Sequence, residues 1–290
     1  MEILAIVLAG IFGAIWGSFS VAQVWRLRAG QLSSIKKSDP DFNKNEFLRL
    51  KKLTQKSFKN DRSQCLNCGY QLKIWDLVPI FSWAFLRGRC RNCRTKIGWL
   101  EFLAEIFTAL AFAILVFSGI SKGWNFGVIF ALILAILPLV ILFIYDAKWS
   151  LLPSKLLWVF LILSGVFFLV SNFSGLASIG IWFNLVVSVV AFPIIYWALA
   201  TFSKEKLVGG GDWVLALGLV MLLPNAPING VLMMFASNMI ALILAISMAI
   251  LKKTSLKKGA QIPFGPSMIL AWFILFIFWN NLEAIFRFLM

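Results

Sequence analysis

The sequence predicts an all-α polytopic membrane protein with about eight transmembrane helices. The chain has 290 residues, 61% of them hydrophobic, and its mean hydropathy of +0.89 is too high for an ordinary soluble domain. Apolar runs of membrane-spanning length or nearly so recur along it. They cover residues 3–24, 100–117, 126–145, 156–170, 179–201, 231–251 and 268–289. A shorter run, 213–223, has too few residues to span alone, and it counts as the eighth span if the glycines at 209–211 or the turn at Pro224 and Pro227 extend it.

The placement of basic residues predicts the orientation of these spans. The net charge is +15. If the loop after the first span is cytoplasmic, 25 of the 27 Lys and Arg face the cytoplasm, which leaves Lys122 and Arg287 outside. The N-terminus is then outside, and the first span, which lacks a basic leader, is expected to stay as an anchor. The charge indicates topology and contact with anionic lipids. We expect no nucleic-acid binding, since no basic patch is interleaved with aromatic residues.

Three parts follow from this topology: residues 1–25 as the first transmembrane helix, residues 26–99 as a cytoplasmic loop, and residues 100–290 as a membrane-embedded core. Within the loop, residues 30–62 have the weak helical periodicity of a solvated or membrane-surface helix.

All four cysteines lie in that loop, as two C-x2-C pairs separated by 21 residues. Two such turns place four thiolates around one centre, and their sequences are typical of zinc-ribbon knuckles. A structural Zn²⁺ site is predicted at Cys65, Cys68, Cys90 and Cys93. Disulfides are the alternative, which a reducing cytoplasm disfavours, and a redox dithiol is another, without a supporting βαβ pattern.

Two aspartates lie where long apolar runs meet charge. Asp146 ends one run, and Asp212 follows Gly209-Gly210-Gly211 at the start of another. Ionisable residues at such places indicate function, and the chain has no histidine. Two close carboxyls share a proton, so that one activates water while the other polarises a carbonyl. The sequence therefore predicts an aspartyl protease whose glycines let a peptide lie beside Asp212.

A blander interpretation makes both aspartates ordinary helix-end residues, with Asp212 as a cap and Asp146 exposed in a turn. The shared cytoplasmic depth of the two residues favours the catalytic hypothesis. Glu101 and Glu105 lie one turn apart at the start of the second span. They are expected to pair with Lys96 or Arg94 or to shape the electrostatics of the site.

Six short motifs follow one another along the chain. They are Gly17-Ser18-Phe19 with Arg26; the cysteine module with Asp76, Pro79, Ser82, Trp83 and residues 87–89; Glu105; Asp146 with residues 151–153; residues 209–212; and Ile262-Pro263-Phe264-Gly265-Pro266. In this order they resemble the bacterial type IV prepilin peptidases, GxGD-type aspartyl proteases of the inner membrane. The resemblance covers most of the chain.

The resemblance implies cleavage of type IV prepilins and pseudopilins at the cytoplasmic membrane face, between a short basic leader and an apolar helix. Asp146 and Asp212 match the family's catalytic pair, with Gly209, Gly210, Gly211 and Glu105 as supporting residues. Many members also methylate the new N-terminal amine with S-adenosylmethionine. No nucleotide-type glycine motif supports that activity independently here.

The chain departs from the family pattern at three positions. Val21, Ser154 and Val214 stand where the family carries an asparagine, an acidic residue and a lysine. None of the three replaces a predicted catalytic or zinc residue.

Two other functions remain open. The first is another GxGD protease of preflagellin-peptidase type, which the four-cysteine module disfavours. The second is a membrane transporter or assembly scaffold with a structural zinc module. Aspartates at the cytoplasmic edge argue against the midplane ion site that a transporter needs.

Overall fold

A computed structural model of the chain describes residues 1–35, 42–54, 62–173, 178–203, 209–223, 226–252 and 263–289, so that Ile262 lies outside the described residues. These ranges contain ten α-helices and two isolated β-bridges. The helices are α1 (Glu2–Ser34), α2 (Lys44–Thr54), α3 (Phe81–Phe85), α4 (Trp99–Ser121), α5 (Phe126–Trp149), α6 (Ser154–Ser171), α7 (Ile179–Ser203), α8 (Asp212–Met221), α9 (Ala226–Lys252) and α10 (Phe264–Leu289).

Five described helical segments are long and apolar enough to cross a membrane: α1, α4, α5, α6 and Ile228–Ser247 of α9. Two further apolar segments, α8 and Phe264–Phe278 of α10, are shorter. The prediction of an all-α, multi-pass membrane protein is confirmed, whereas the count of eight spans stays a prediction.

The chain forms two compact units, Met1–Phe117 and Ser118–Met290. In the first unit, α1 has 33 residues and is therefore about 50 Å long, which exceeds the ~30 Å hydrocarbon core of a bilayer. Its last turns pack on α2, where Ala29, Leu32 and Leu50 form a buried cluster. Beside that cluster the Arg28 guanidinium lies 3.1 Å from a carboxylate oxygen of Glu46. The helix predicted within 30–62 is therefore α2, and it packs through Leu50.

Small residues let α1 approach α4 closely. Gly13 and Gly17 lie one turn apart on α1. A methyl group built on Gly13 would lie 2.5 Å from the carbonyl oxygen of Thr108, and one built on Gly17 would lie 2.8 Å from that of Ala104. Such small-xxx-small pairs are the usual means of close backbone packing between membrane helices.

The second unit is built around the short helix α8, which packs against α6, α7, α9 and α10. Leu215, Ala216 and Leu219 of α8 have no exposed surface. α5 ends at Trp149 and is followed by Ser150, which adopts a left-handed conformation (φ 52°), and Pro153 precedes α6. The ends of α5 and α8 thereby carry Asp146 and Asp212.

Candidate functional site

Asp146 lies in the last turn of α5 and is buried, with 4% of its surface exposed. Its Oδ2 accepts a hydrogen bond of 2.9 Å from the backbone N–H of Gly265. The interpretation of Asp146 as an exposed turn residue is therefore wrong, because the helix continues past it to Trp149 and packing covers its side chain.

Asp212 is the first residue of α8 and is equally buried. Its Oδ2 accepts a hydrogen bond of 2.7 Å from the N–H of Gly209, so the side chain turns back towards the glycine segment. Gly211 fits closely against Leu152, since a methyl group there would lie 3.1 Å from the Leu152 Cβ. Gly209 and Gly210 are exposed, so the glycine segment leads from the surface to a buried carboxylate.

The two carboxylates lie near each other in the second unit. The negative charge of Asp212 acts on Asp146. Gly265 links their surroundings, because a methyl group built on it would lie against both Asp146 and Leu215, which is one helical turn beyond Asp212. Each carboxylate has its Oδ2 held by a glycine N–H. The arrangement can therefore present two neighbouring carboxyl groups to a water molecule and a substrate carbonyl.

Sequence reasoning missed two residues at this site. Gly265 was assigned to a motif but not to a contact with Asp146. Tyr196 of α7 is almost fully buried; its hydroxyl lies 3.4 Å from Ser237 Oγ, and its ring packs on Phe264 with centroids 6.0 Å apart. The charge of Asp212 also reaches Tyr196. A lone tyrosine within a 25-residue apolar helix was the available signal.

The four cysteines form a separate cluster in the first unit. Their sulfur atoms all lie within 4.8 Å of one another and could hold a metal ion. The two turns have matching backbones: Gly69 N–H donates to Cys65 O and Arg94 N–H donates to Cys90 O, at 2.9 and 3.0 Å. Gly69 and Arg94, which follow the second cysteine of each pair, both have positive φ. Four free thiols so arranged fit a tetrahedral four-thiolate metal site.

An asparagine from each turn donates to a sulfur of the other turn. Asn67 Nδ2 lies 3.7 Å from Cys93 Sγ, and Asn92 Nδ2 lies 3.7 Å from Cys68 Sγ. Hydrogen bonds, chiefly those with Thr95, lower the pKa of Cys93 to about 5. Burial raises the pKa of Cys65 to about 11. A cation in the cluster would favour the thiolate form of all four sulfurs, with release of protons.

Glu105 holds an unusual turn in this unit. Phe81 N–H donates to Pro79 O at 2.6 Å, and Ile80 between them has φ 64° and ψ −53°. This is a strained γ-turn, which is rare for a β-branched residue. Glu105 Oε2 accepts the Ile80 N–H at 2.6 Å. Glu105 was predicted to pair with Lys96 or Arg94. Its carboxylate instead accepts a backbone hydrogen bond, which fixes the turn before α3.

The remaining motif residues of the cysteine module pack around α3. Trp83 packs against both Trp99 and Phe102, with ring centroids 4.6 and 4.4 Å away, and those two rings also contact each other. Gly88 lies against the Trp83 ring, and a methyl group there would be 2.7 Å from it. A cavity in the same unit is lined by aromatic, basic and acidic side chains, among them Trp25, Arg26, Arg49, Trp83, Glu101 and Glu105.

Comparison with known proteins identifies similar sequences. A family model, the bacterial peptidase A24 N-terminal domain, matches residues 11–118. A prepilin leader peptidase/N-methyltransferase of Aeromonas hydrophila is 29% identical over 76% of this chain and 73% of its own length. Relatives of the same name match from Neisseria gonorrhoeae, at 29% identity over 74% of this chain and 70% of the relative, and from Vibrio cholerae, at 28% over 95% and 98%. No solved structure matches the chain.

The Glu105 contact gives the first testable prediction. Glu105→Leu leaves the partly buried Ile80 N–H without its acceptor, so we expect local stability around residues 79–86 to fall by about 1–2 kcal/mol. Glu105→Gln keeps an oxygen acceptor and serves as the matched control. Amide hydrogen exchange of this segment should accelerate about tenfold in the leucine variant and much less in the glutamine variant. Equal exchange in all three proteins would contradict the role given to Glu105.

Proposed function

We propose that this chain, which is similar to bacterial prepilin leader peptidase/N-methyltransferases, cleaves type IV prepilins and pseudopilins by an aspartyl mechanism. The observation that carries the proposal is the pair of buried carboxylates, Asp146 and Asp212, whose charges interact and whose Oδ2 atoms are each held by a glycine N–H. The activity and the protein substrates come from the relatives; the catalytic assignment comes from the site.

In the proposed mechanism the two carboxyls share one proton. The ionised carboxylate takes a proton from water, which attacks the scissile carbonyl while the protonated carboxyl polarises it. The protonated partner then donates to the leaving amine. Asp146 and Asp212 act as one titrating unit, so neither is assigned a fixed role.

We propose that the chain is a multi-pass protein of the bacterial inner membrane, with its N-terminus outside and the cysteine module in the cytoplasm. The distribution of Lys and Arg supports this orientation. It puts the cytoplasmic ends of α5 and α8 at the same membrane face. The exposed Gly209 and Gly210 beside the buried Asp212 offer an extended peptide a way to the carboxylates.

The aspartyl mechanism predicts that either single aspartate substitution abolishes cleavage. Asp146→Asn and Asp212→Asn keep the side-chain size and remove the ionisable group, so we expect activity to fall at least about 1,000-fold, as for other groups that act as a unit. The measurement is cleavage of a prepilin by purified protein in detergent. The melting temperature and metal content of each variant serve as controls for folding. A folded variant that cleaves at more than a tenth of the wild-type rate would refute the assignment at that position.

We further propose that Cys65, Cys68, Cys90 and Cys93 bind one structural Zn²⁺. Two C-x2-C turns with matching backbones and sulfur atoms within 4.8 Å support zinc at this site. Four thiolates leave no open coordination position for substrate, so the ion would brace the module instead of taking part in the reaction.

Metal analysis tests this directly. The purified protein should contain about one zinc per chain, and Cys90→Ser should lose most of it because Cys90 is the buried member of the set. Asp212→Asn, which leaves the cluster intact, should keep its zinc. Chelation should lower the melting temperature, and added zinc should restore it. A Cys90→Ser protein with full metal content would exclude the site.

The relatives' name also supports a second activity, N-methylation, and we propose S-adenosylmethionine as its methyl donor. We propose the cavity of the first unit as the site for this cofactor. Glu101 Oε2 and Trp83 Nε1 are buried in the cavity region without a hydrogen-bond partner. The amine and hydroxyl groups of S-adenosylmethionine could bind an acidic side chain, its carboxylate an arginine, and its adenine ring a tryptophan. Acidic, arginine and tryptophan side chains all line this cavity.

Equilibrium binding tests the cofactor site. Glu101→Gln removes the acidic group, and we expect it to weaken the binding of S-adenosylmethionine to the zinc-loaded protein about tenfold. Asp146→Asn, which lies in the other unit, should bind the cofactor like the wild type. Unchanged affinity in Glu101→Gln would place the cofactor elsewhere.

A further inference from the structure

Gly265 is the second residue of α10 and is buried. Its N–H donates to Asp146 Oδ2 at 2.9 Å, across 119 positions of the chain. The first turn of a helix has backbone N–H groups that no helical carbonyl accepts. One of these N–H groups, that of Gly265, donates to the Asp146 carboxylate.

The same place leaves no room for a side chain. A methyl group built on Gly265 would lie 2.6 Å from Asp146 Oδ2 and 3.3 Å from Leu215 Cδ2. The first distance is shorter than a non-bonded carbon–oxygen contact allows, so the carboxylate or the start of α10 would have to move. α5, α8 and α10 converge on this glycine, and a displaced carboxylate would have to shift within a packed interior.

The start of α10 is rigidly placed. Pro266 lies in its first turn, where a missing N–H costs nothing and a fixed φ favours the helix. Phe264, just before Gly265, packs on the buried ring of Tyr196, whose hydroxyl lies 3.4 Å from Ser237 of α9. The N–H of Gly265 is therefore held at a fixed position relative to Asp146.

We propose that Gly265 is a positioning residue that sets the orientation of the Asp146 carboxylate. Its N–H fixes Oδ2, which directs Oδ1 to the reacting water or carbonyl, and its missing side chain lets the carboxylate approach the helix start. This inference rests on the proposed aspartyl mechanism. Misplacement of a reacting group by about 1 Å can cost 100-fold in rate.

The test is Gly265→Ala in purified, metal-loaded protein. We expect kcat for prepilin cleavage to fall about 100-fold and KM to stay within about threefold, because the carboxylate is displaced while the substrate-binding surfaces remain. Gly165→Ala on α6 is the matched control, since a methyl group there meets nothing within 4 Å; it should cleave like the wild type. Gly265→Ala cleaving within threefold of the wild-type kcat would overturn the proposal.

A double variant separates positioning from packing. Leu215→Val removes the Cδ2 atom that lies nearest on α8, so Gly265→Ala/Leu215→Val relieves crowding between helices but not the contact with Asp146. Positioning predicts that this protein folds and stays slow. Recovered activity, or failure of both variants to fold, would make Gly265 a packing residue and overturn the proposal. If Asp146→Asn still cleaves, the proposed mechanism fails first; if it is inactive while Gly265→Ala is active, only the present inference fails.

Discussion

Burial of two carboxylates in an apolar helical unit governs the arrangement of the second unit. A charged group out of water is costly unless it is hydrogen-bonded or shares its charge. Asp146 and Asp212 each accept a backbone N–H from a glycine, and the donors Gly209 and Gly265 belong to separate motifs. A backbone donor needs no side chain of its own, so it can approach a carboxylate closely while adding no bulk to the site. The glycines around the aspartates are thus explained by space and by hydrogen bonding together.

Helix ends are where this solution is available. Asp146 lies in the last turn of α5, Asp212 begins α8, and Gly265 lies in the first turn of α10. Backbone groups at helix ends lack helical partners, so a site assembled from three ends can use those groups without breaking a regular hydrogen bond. The short α8 places its end among the other helices because most of its residues, such as Leu215, are buried. The cysteine module follows another logic: two matched turns exchange asparagine contacts with each other's sulfur atoms, Asn67 to Cys93 and Asn92 to Cys68.

The sequence was sufficient where chemistry is local. Hydropathy predicted the membrane helices, the C-x2-C spacing predicted the cysteine cluster, and the positions of Asp146 and Asp212 at the ends of apolar runs singled them out. Contacts between distant segments leave no such local trace. Gly265 donates a hydrogen bond to Asp146, which is 119 positions away in the chain. Residues 262–266 contain no pattern from which this contact could be predicted. The sequence places Glu105 near basic residues, yet its carboxylate accepts a hydrogen bond from the N–H of Ile80. Ile80 has a positive φ, which a β-branched residue rarely adopts, so the sequence gives no sign of this turn.

In the proposed mechanism, Asp146 and Asp212 together hold the reacting centre of one peptide bond. An experimental structure of the chain with a prepilin-derived peptide, its scissile bond replaced by a hydroxyethylene group, tests this most directly, because that hydroxyl mimics the tetrahedral intermediate. We expect the hydroxyl to lie within about 3 Å of a carboxylate oxygen from each aspartate. A hydroxyl bound by one aspartate alone, or a peptide seated away from both, would contradict it.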